Sequence, residues 1–79
     1  MIKIKDNVDL KELETFDFYD MGNCYQKYLN FGVQLYVNKQ TRIITRNAPY
    51  DARYIPNKYE ISDLIKADMV EKVVEDEQD

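Results

Sequence analysis

The sequence predicts one α+β domain: a small antiparallel sheet of three to five strands with two short helices packed on one face. The first observation is a pair of β-type runs within Val33–Arg46, separated by four polar residues led by Asn38, which predicts a hairpin. The second is apolar residues at helical spacing near both ends of the chain. A chain of 79 residues, 44% of them hydrophobic, forms a single domain with a thin core.

The first half of the chain alternates strand and helix signals. Ile2–Lys5 alternates isoleucine with lysine, which predicts a short strand at a sheet edge. Asp9 and Glu12 have the spacing of a capping box, so the residues that follow predict a helix of about two turns over Leu10–Thr15. The aromatic-rich segment Cys24–Phe31 is predicted to be mostly a strand that leads into the hairpin.

The second half contains a long loop and a second helix. Asn47–Lys58 includes two prolines and two asparagines, which favour extended and turn conformations. Ile61, Leu64 and Ile65 lie at positions i, i+3 and i+4 and predict an amphipathic helix. From Asp68 onward the chain either continues this helix or turns into a strand.

Two segments of similar shape favour the strand. In Leu10–Phe18 and in Leu64–Val70, two apolar helical positions are followed by an aspartate and then by apolar residues of β type. Asp17 can adopt the left-handed conformation that ends many helices. By the same reasoning, Asp68 marks a turn and the residues after it form a strand.

Charge is distributed unevenly along a chain whose net charge is −4. Residues 1–20 carry three lysines and six acids, and residues 60–79 carry two lysines and eight acids. Residues 21–59 carry six basic residues and one acid. The acidic ends either neutralise this basic middle in the fold or lie opposite it and make the molecule a dipole. Residues 1–74 are assigned to the domain, and 75–79 to a disordered acidic tail.

The chain lacks the residues on which most enzymes depend. It has no histidine, and its single cysteine, Cys24, has neither a catalytic partner nor a second cysteine for an internal disulfide. With two glycines it contains no phosphate-binding loop. We therefore expect no catalytic residues, no metal site and no cofactor. Neither a secretory leader nor an apolar run of roughly 18 residues occurs, which predicts a cytoplasmic protein.

Three segments resemble a group of known proteins. The opening IKIKDNVDLKELE (Ile2–Glu14) and the ending DLIKADMVEKV (Asp63–Val73) resemble small uncharacterised proteins encoded by phages and mobile elements of low-GC Gram-positive bacteria. The turn Asn38–Ile43 is similar to their middle. These proteins have no assigned function, so the resemblance implies only a context, in which small acidic proteins often block host defence.

Two charged regions are candidate binding surfaces. The basic middle mixes aromatic rings with cations, and its candidate contact residues are Tyr36, Lys39, Arg42, Arg46, Tyr50, Arg53 and Tyr54. The acidic ends supply a candidate acidic patch, made of Asp63, Asp68, Glu71 and Glu75.

The leading hypothesis is a non-enzymatic accessory protein that binds a host or phage protein. In its most concrete form it is an anti-CRISPR-like inhibitor of a defence complex that processes nucleic acid. The alternative is a small RNA or single-stranded DNA binder that uses the hairpin and the Pro49–Lys58 loop. A third option is self-association as a homodimer through a sheet edge.

Overall fold

The computed structural model describes residues 1–73, which form an antiparallel sheet of six strands and few helices. The strands are β1 (Ile2–Ile4), β2 (Tyr19–Asp20), β3 (Cys24–Tyr28), β4 (Gln34–Asn38), β5 (Ile43–Asn47) and β6 (Val70–Lys72), in the sheet order β2-β3-β4-β5-β1-β6. A 3₁₀-helix spans Leu10–Phe16, a 3₁₀ turn spans Asn30–Gly32, and the α-helix α1 spans Ser62–Lys66. The α+β class is confirmed. The strand count exceeds the prediction because β2, with two residues, is too short to show alternation.

The β4–β5 hairpin forms where the sequence predicts it. The side-chain Oδ1 of Asn38 accepts hydrogen bonds from the N–H groups of Gln40 and Thr41, at 2.8 and 2.9 Å. Arg42 follows with a φ of 66°, and its N–H donates to the carbonyl of Asn38 at 2.8 Å. The asparagine that signals the turn in the sequence therefore also organises it.

Both helices end in the left-handed turn that the two aspartates predict. Asp17 has a φ of 70° and Asp68 a φ of 59°. In each case the amide after the aspartate donates to the carbonyl five residues earlier, at 3.2 and 3.1 Å, as in a Schellman motif. Asp9 caps the first helix, and its Oδ1 accepts a hydrogen bond from the N–H of Lys11 at 3.0 Å. This first helix is a 3₁₀-helix rather than an α-helix. After Asp68 the chain enters β6, so the strand alternative is correct.

The prediction that the first strand lies at a sheet edge is wrong. Strand β1 lies between β5 and β6, with Ile2 opposite both Ile44 and Lys72. Its second neighbour, β6, comes from the far end of the chain, so the local sequence pattern around β1 does not indicate this pairing. The edges are β2 and β6 instead.

The core lies on one face of the sheet. Strands contribute Ile4, Leu35 and Ile44 to it, while the 3₁₀-helix and α1 contribute Leu13 and Leu64. All five side chains are 0 or 1% exposed. Residues that alternate with these strand positions point to the opposite face of the sheet.

Candidate functional site

Four exposed aromatic side chains line one cleft, at the end of the sheet opposite the hairpin turn. Tyr28 ends β3, Phe31 lies in the following 3₁₀ turn, and Tyr50 and Tyr59 belong to the loop between β5 and α1. Their exposed fractions are 62, 85, 63 and 79%. The open cleft that they share has a volume of about 580 Å³. We refer to these four residues and the space between them as the aromatic cleft.

Phe31 combines an unusual backbone conformation with an exposed side chain. It has a φ of 61° and a ψ of 30°, in the left-handed region that bulky side chains rarely adopt. Gly32 follows with a φ of 77°, and a Cβ added there would lie 3.3 Å from Cγ of Pro49. This close approach packs the 3₁₀ turn against the loop. Phe31 is thus held in a strained conformation without burying its ring, and residues with a strained backbone cluster at functional sites.

Arg46 fixes the loop that carries Tyr50 and Tyr59. Its side chain is 3% exposed, and its Nη1 donates to Asp51 Oδ1 at 2.8 Å and to the carbonyl of Arg53 at 3.1 Å. Its Nε lies 3.1 Å from Glu60 Oε1. One buried guanidinium therefore holds three points of the loop to β5.

The electrostatics of this cluster keep both partners of its shortest ion pair charged. The hydrogen bond from Arg46, together with the N–H of Arg53, lowers the pKa of Asp51 below its ordinary range. The same hydrogen bond raises the pKa of Arg46. At neutral pH the Arg46–Asp51 pair is therefore ionised and anchors the loop.

A capping box positions Tyr59. The side-chain Oδ1 of Asn57 accepts from the N–H groups of Tyr59 and Glu60, at 2.9 Å each. In return, Glu60 Oε1 accepts from the N–H of Asn57 at 3.0 Å. The Asn-x-x-Glu spacing is the sequence signal that would have located this turn.

The acidic and basic side chains that line the aromatic cleft are those of Lys27, Glu60 and Asp63. Lys27 Nζ lies 2.9 Å from Asp63 Oδ2 and 5.5 Å from the centre of the Phe18 ring. One cation against two carboxylates leaves the lining with one excess negative charge.

Two predicted contact residues act inside the fold. Arg46 is buried in the cluster described above. Arg42 is half-buried, and its Nη1 donates to the carbonyls of Lys5 and Val8 at 2.7 Å each. It therefore ties the turn after β1 to the hairpin, and we leave both arginines out of the candidate surface.

Two further predicted contact residues also have partners within the chain. Lys39 Nζ lies 2.7 Å from Asp20 Oδ1 and 5.0 Å from the centre of the Tyr25 ring. Tyr36 lies on the sheet face opposite the core, where its hydroxyl donates to the side chain of Gln34. Neither residue reaches the aromatic cleft.

The remaining three predicted contact residues lie on the loop between β5 and α1. Tyr50 lines the aromatic cleft. Arg53 and Tyr54 line a separate apolar pocket with Ala52 and Ile55. The sequence thus identified the loop, but Tyr28, Phe31 and Tyr59 were missed as candidates because their proximity depends on the fold.

The predicted acidic patch is paired with lysines where the structure describes it. The pairs, with N–O distances of 2.9, 2.8 and 3.8 Å, are Asp63 with Lys27, Asp68 with Lys5, and Glu71 with Lys3. Glu75 and the predicted tail at 75–79 lie outside the described residues. In the described chain, acids from both ends also pair with basic residues of the middle, as in Asp20–Lys39 and Glu60–Arg46. Among residues 1–73, the acidic ends therefore lie beside basic residues of the middle and neutralise them.

No family model, curated protein or solved structure matches this chain. The helices described for residues 1–73 are all too short or too polar to cross a membrane. Within the same residues, no three His, Cys, Asp or Glu side chains are grouped so that they could hold a metal ion. The aromatic cleft is the feature on which a functional argument can be built.

Proposed function

We propose that this protein is a non-enzymatic binding protein that holds a partner protein in the aromatic cleft. The observation that carries the proposal is Phe31, a ring 85% exposed to water on a strained backbone. Tyrosine is enriched in the residues that dominate binding energies, and phenylalanine is enriched at protein interfaces. Four such rings around one cleft supply large, rigid contact surfaces.

The aromatic cleft is ordered before a partner arrives. Arg46 and the Asn57–Glu60 capping box fix the loop, and Gly32 packs the 3₁₀ turn against it. A preorganised surface loses little conformational entropy on binding. The contact area that a specific interface needs, about 800 Å² per partner, requires neighbouring surface as well, which Tyr54 and Ile55 provide on the same loop.

In its most concrete form, the proposed role is that of a phage or mobile-element accessory protein in the bacterial cytoplasm, where it inhibits a host defence complex such as CRISPR–Cas. The resemblance of the two terminal segments to phage and mobile-element proteins supports this context. The net charge of −4 suits a protein that meets a nucleic-acid-processing complex, whose own surfaces are basic.

The test is a plaque assay on a Gram-positive host with an active CRISPR–Cas system that targets the phage. Expression of the wild-type chain is expected to restore plaque formation, and Phe31→Ala is expected to abolish the effect. Tyr19→Ala is the matched control, because Tyr19 is 63% exposed but does not line the cleft. Affinity capture from the same host should recover one complex with wild type and Tyr19→Ala only.

Two results would contradict the proposal. If no specific protein is captured and no defence system is relieved, protein binding in this context is wrong. If Phe31→Ala and Tyr59→Ala behave like wild type in both assays, the cleft is not the binding surface.

The nucleic-acid alternative has one observation in its favour. Arg53 and Lys58 make no ion pair with any residue among 1–73, and they lie on the same loop as Tyr50 and Tyr54. Two such cations predict weak binding to single strands that falls steeply as salt rises. A gel shift at low salt tests this, and the absence of any shift removes the alternative.

Self-association through a sheet edge is the least supported of the three functions. The edge strands have two and three residues and carry Asp20, Glu71 and Lys72. Short, charged edge strands are a common protection against pairing between chains. Light scattering is therefore expected to give the mass of a monomer.

A further inference from the structure

From the charge and chemistry of the aromatic cleft, we infer that it binds a positively charged side chain, arginine or lysine, on an exposed segment of the partner protein. This inference rests on the proposed function and specifies the chemistry of the partner. The faces of aromatic rings are electron-rich and attract cations, most strongly where several rings surround one site. Three tyrosines and one phenylalanine line this cleft.

The charges that line the cleft also favour a cation. Its lining holds Lys27, Glu60 and Asp63, one cation against two carboxylates. Arg46 and Asp51, which hold the loop to β5, add one charge of each sign. Lys58, whose ammonium lies 5.6 Å from the centre of the Tyr59 ring but outside the cleft lining, balances the remaining carboxylate. An anionic side chain entering the cleft would meet the carboxylates of Glu60 and Asp63 and the negative ring faces.

The basic residue within the lining does not occupy the four rings. Lys27 is held by Asp63 and lies over Phe18, a core residue that is not part of the cleft. Its side chain is only 14% exposed. Lys27 therefore leaves the rings of the cleft available to a cation from outside.

Tyr59 gives an internal example of the proposed contact. The Nζ of Lys58 lies 5.6 Å from the centre of the Tyr59 ring, within the range of a cation–π interaction. Tyr59 lines both the cleft and a separate neighbouring pocket. Lys58 lines only that neighbouring pocket. The same ring therefore borders both a bound ammonium group and the open cleft.

The size of the cleft fits this occupant. Its volume of about 580 Å³ lies within the range of small-ligand sites, about 300–1,000 Å³. It accommodates an arginine or lysine side chain together with the backbone on either side. The partner is accordingly expected to present the residue on an extended segment or a loop tip.

The experiment is an NMR titration of the ¹⁵N-labelled full-length chain with the peptide acetyl-Gly-Ser-Arg-Ser-Gly-amide. A second peptide replaces arginine with citrulline, which has the same shape but no charge, and a third replaces it with glutamate. We expect amide shifts at residues 28–32 and 57–60, and an affinity about fivefold higher for the arginine peptide than for the citrulline peptide. The glutamate peptide is expected to produce no shifts there.

Two variants separate the aromatic contribution from general apolar contact. Tyr59→Leu keeps an apolar side chain but removes the ring, and is expected to weaken binding of the arginine peptide about fivefold. Tyr19→Leu makes the same change at a ring outside the cleft and should leave binding unchanged. Both side chains are highly exposed, so neither change threatens the fold.

Equal affinity for the arginine and citrulline peptides, preference for glutamate, or an absence of shifts at the cleft would overturn the inference. These outcomes differ from failure of the proposed function. If Phe31→Ala abolishes partner capture while the arginine peptide does not bind, the cleft is a protein-binding site of another chemistry.

Discussion

Two turns at opposite ends of strand β4 each hold a bulky residue in the left-handed conformation. In only one of them does the side chain of that residue form hydrogen bonds within the chain. Arg42 has a φ of 66°, and its guanidinium donates to two backbone carbonyls at 2.7 Å. Phe31 has a φ of 61°, and its ring is left in solvent. Hydrogen bonds within the fold accompany the strain at Arg42, whereas Phe31 is the residue for which we propose a contact with a partner.

The same contrast applies to charge. At the hairpin end, Lys39 is paired with Asp20 on the surface. At the cleft end, Arg46 is buried beneath the loop and paired with Asp51 and Glu60. Lys39 and Arg46 are thus both paired within the chain, whereas the aromatic rings of the cleft remain exposed. The difference between the two ends can be tested by substitution.

The largest effect is expected at the buried cluster. Arg46→Met preserves much of the side-chain volume but leaves the carboxylates of Asp51 and Glu60 without their cation. We expect the free energy of unfolding to fall by about 3 kcal/mol, measured by urea denaturation. Arg53→Met is the control on the same loop and should change stability by less than about 0.5 kcal/mol. If Arg46→Met does not fold, Glu60→Gln should give a smaller loss of about 1 kcal/mol.

Arg42→Ala is expected to have the next largest effect. It removes two charge-assisted hydrogen bonds to the carbonyls of Lys5 and Val8 and leaves alanine in the left-handed region. The expected loss is about 2 kcal/mol by the same measurement. Binding at the aromatic cleft should be unaffected once the variant is folded, since Arg42 lies at the opposite end. A variant as stable as wild type would show that these hydrogen bonds contribute nothing net.

Phe31→Asn should raise stability while abolishing partner binding. Asparagine tolerates the left-handed conformation, so the change relieves strain, and we expect a gain of about 1 kcal/mol in urea denaturation. Tyr28→Asn is the control, because it removes a cleft ring from a regular strand and should lower stability slightly. If Phe31→Asn destabilises the chain, the ring supports the fold and the comparison of the two turns fails.

The smallest effect is expected in how the free energy of unfolding changes at acidic pH. The pKa of Asp51 is lowered chiefly by the hydrogen bond from Arg46, and that of Asp20 by the one from Lys39. Each carboxylate therefore adds stability above its ordinary pKa of 3.8, and this stability is lost as the pH falls below 3.8 through the lower folded value.

Asp51→Asn should flatten the acid limb of a stability–pH curve more than Asp20→Asn does. The side chain of Asp51 is 28% exposed and that of Asp20 is 48% exposed, so solvent screens the Asp20 pair more. Added salt should reduce the contribution of Asp20 first. If the two variants lose the same amount of stability between neutral and acidic pH, burial of Arg46 does not make the Asp51 pair stronger than the Asp20 pair.

Local signals account for what the sequence by itself determined. Asn38 specifies its turn through hydrogen bonds to residues two and three positions ahead, and Asp17 and Asp68 end their helices through contacts within one turn. Such interactions involve neighbouring residues, so their pattern is visible in the sequence. The hairpin, both helix ends and the choice of a strand for β6 were therefore predictable.

Only the tertiary structure decided which distant residues meet. Strand β1 became an inner strand because β6 pairs with it across nearly the whole chain. Arg46 turned from an expected contact residue into a buried anchor because Glu60 lies beside it in the fold. Tyr28 and Tyr59, far apart in sequence, line the same cleft. These contacts depend on sheet order and loop packing, which arise from the burial of one shared core rather than from any local pattern.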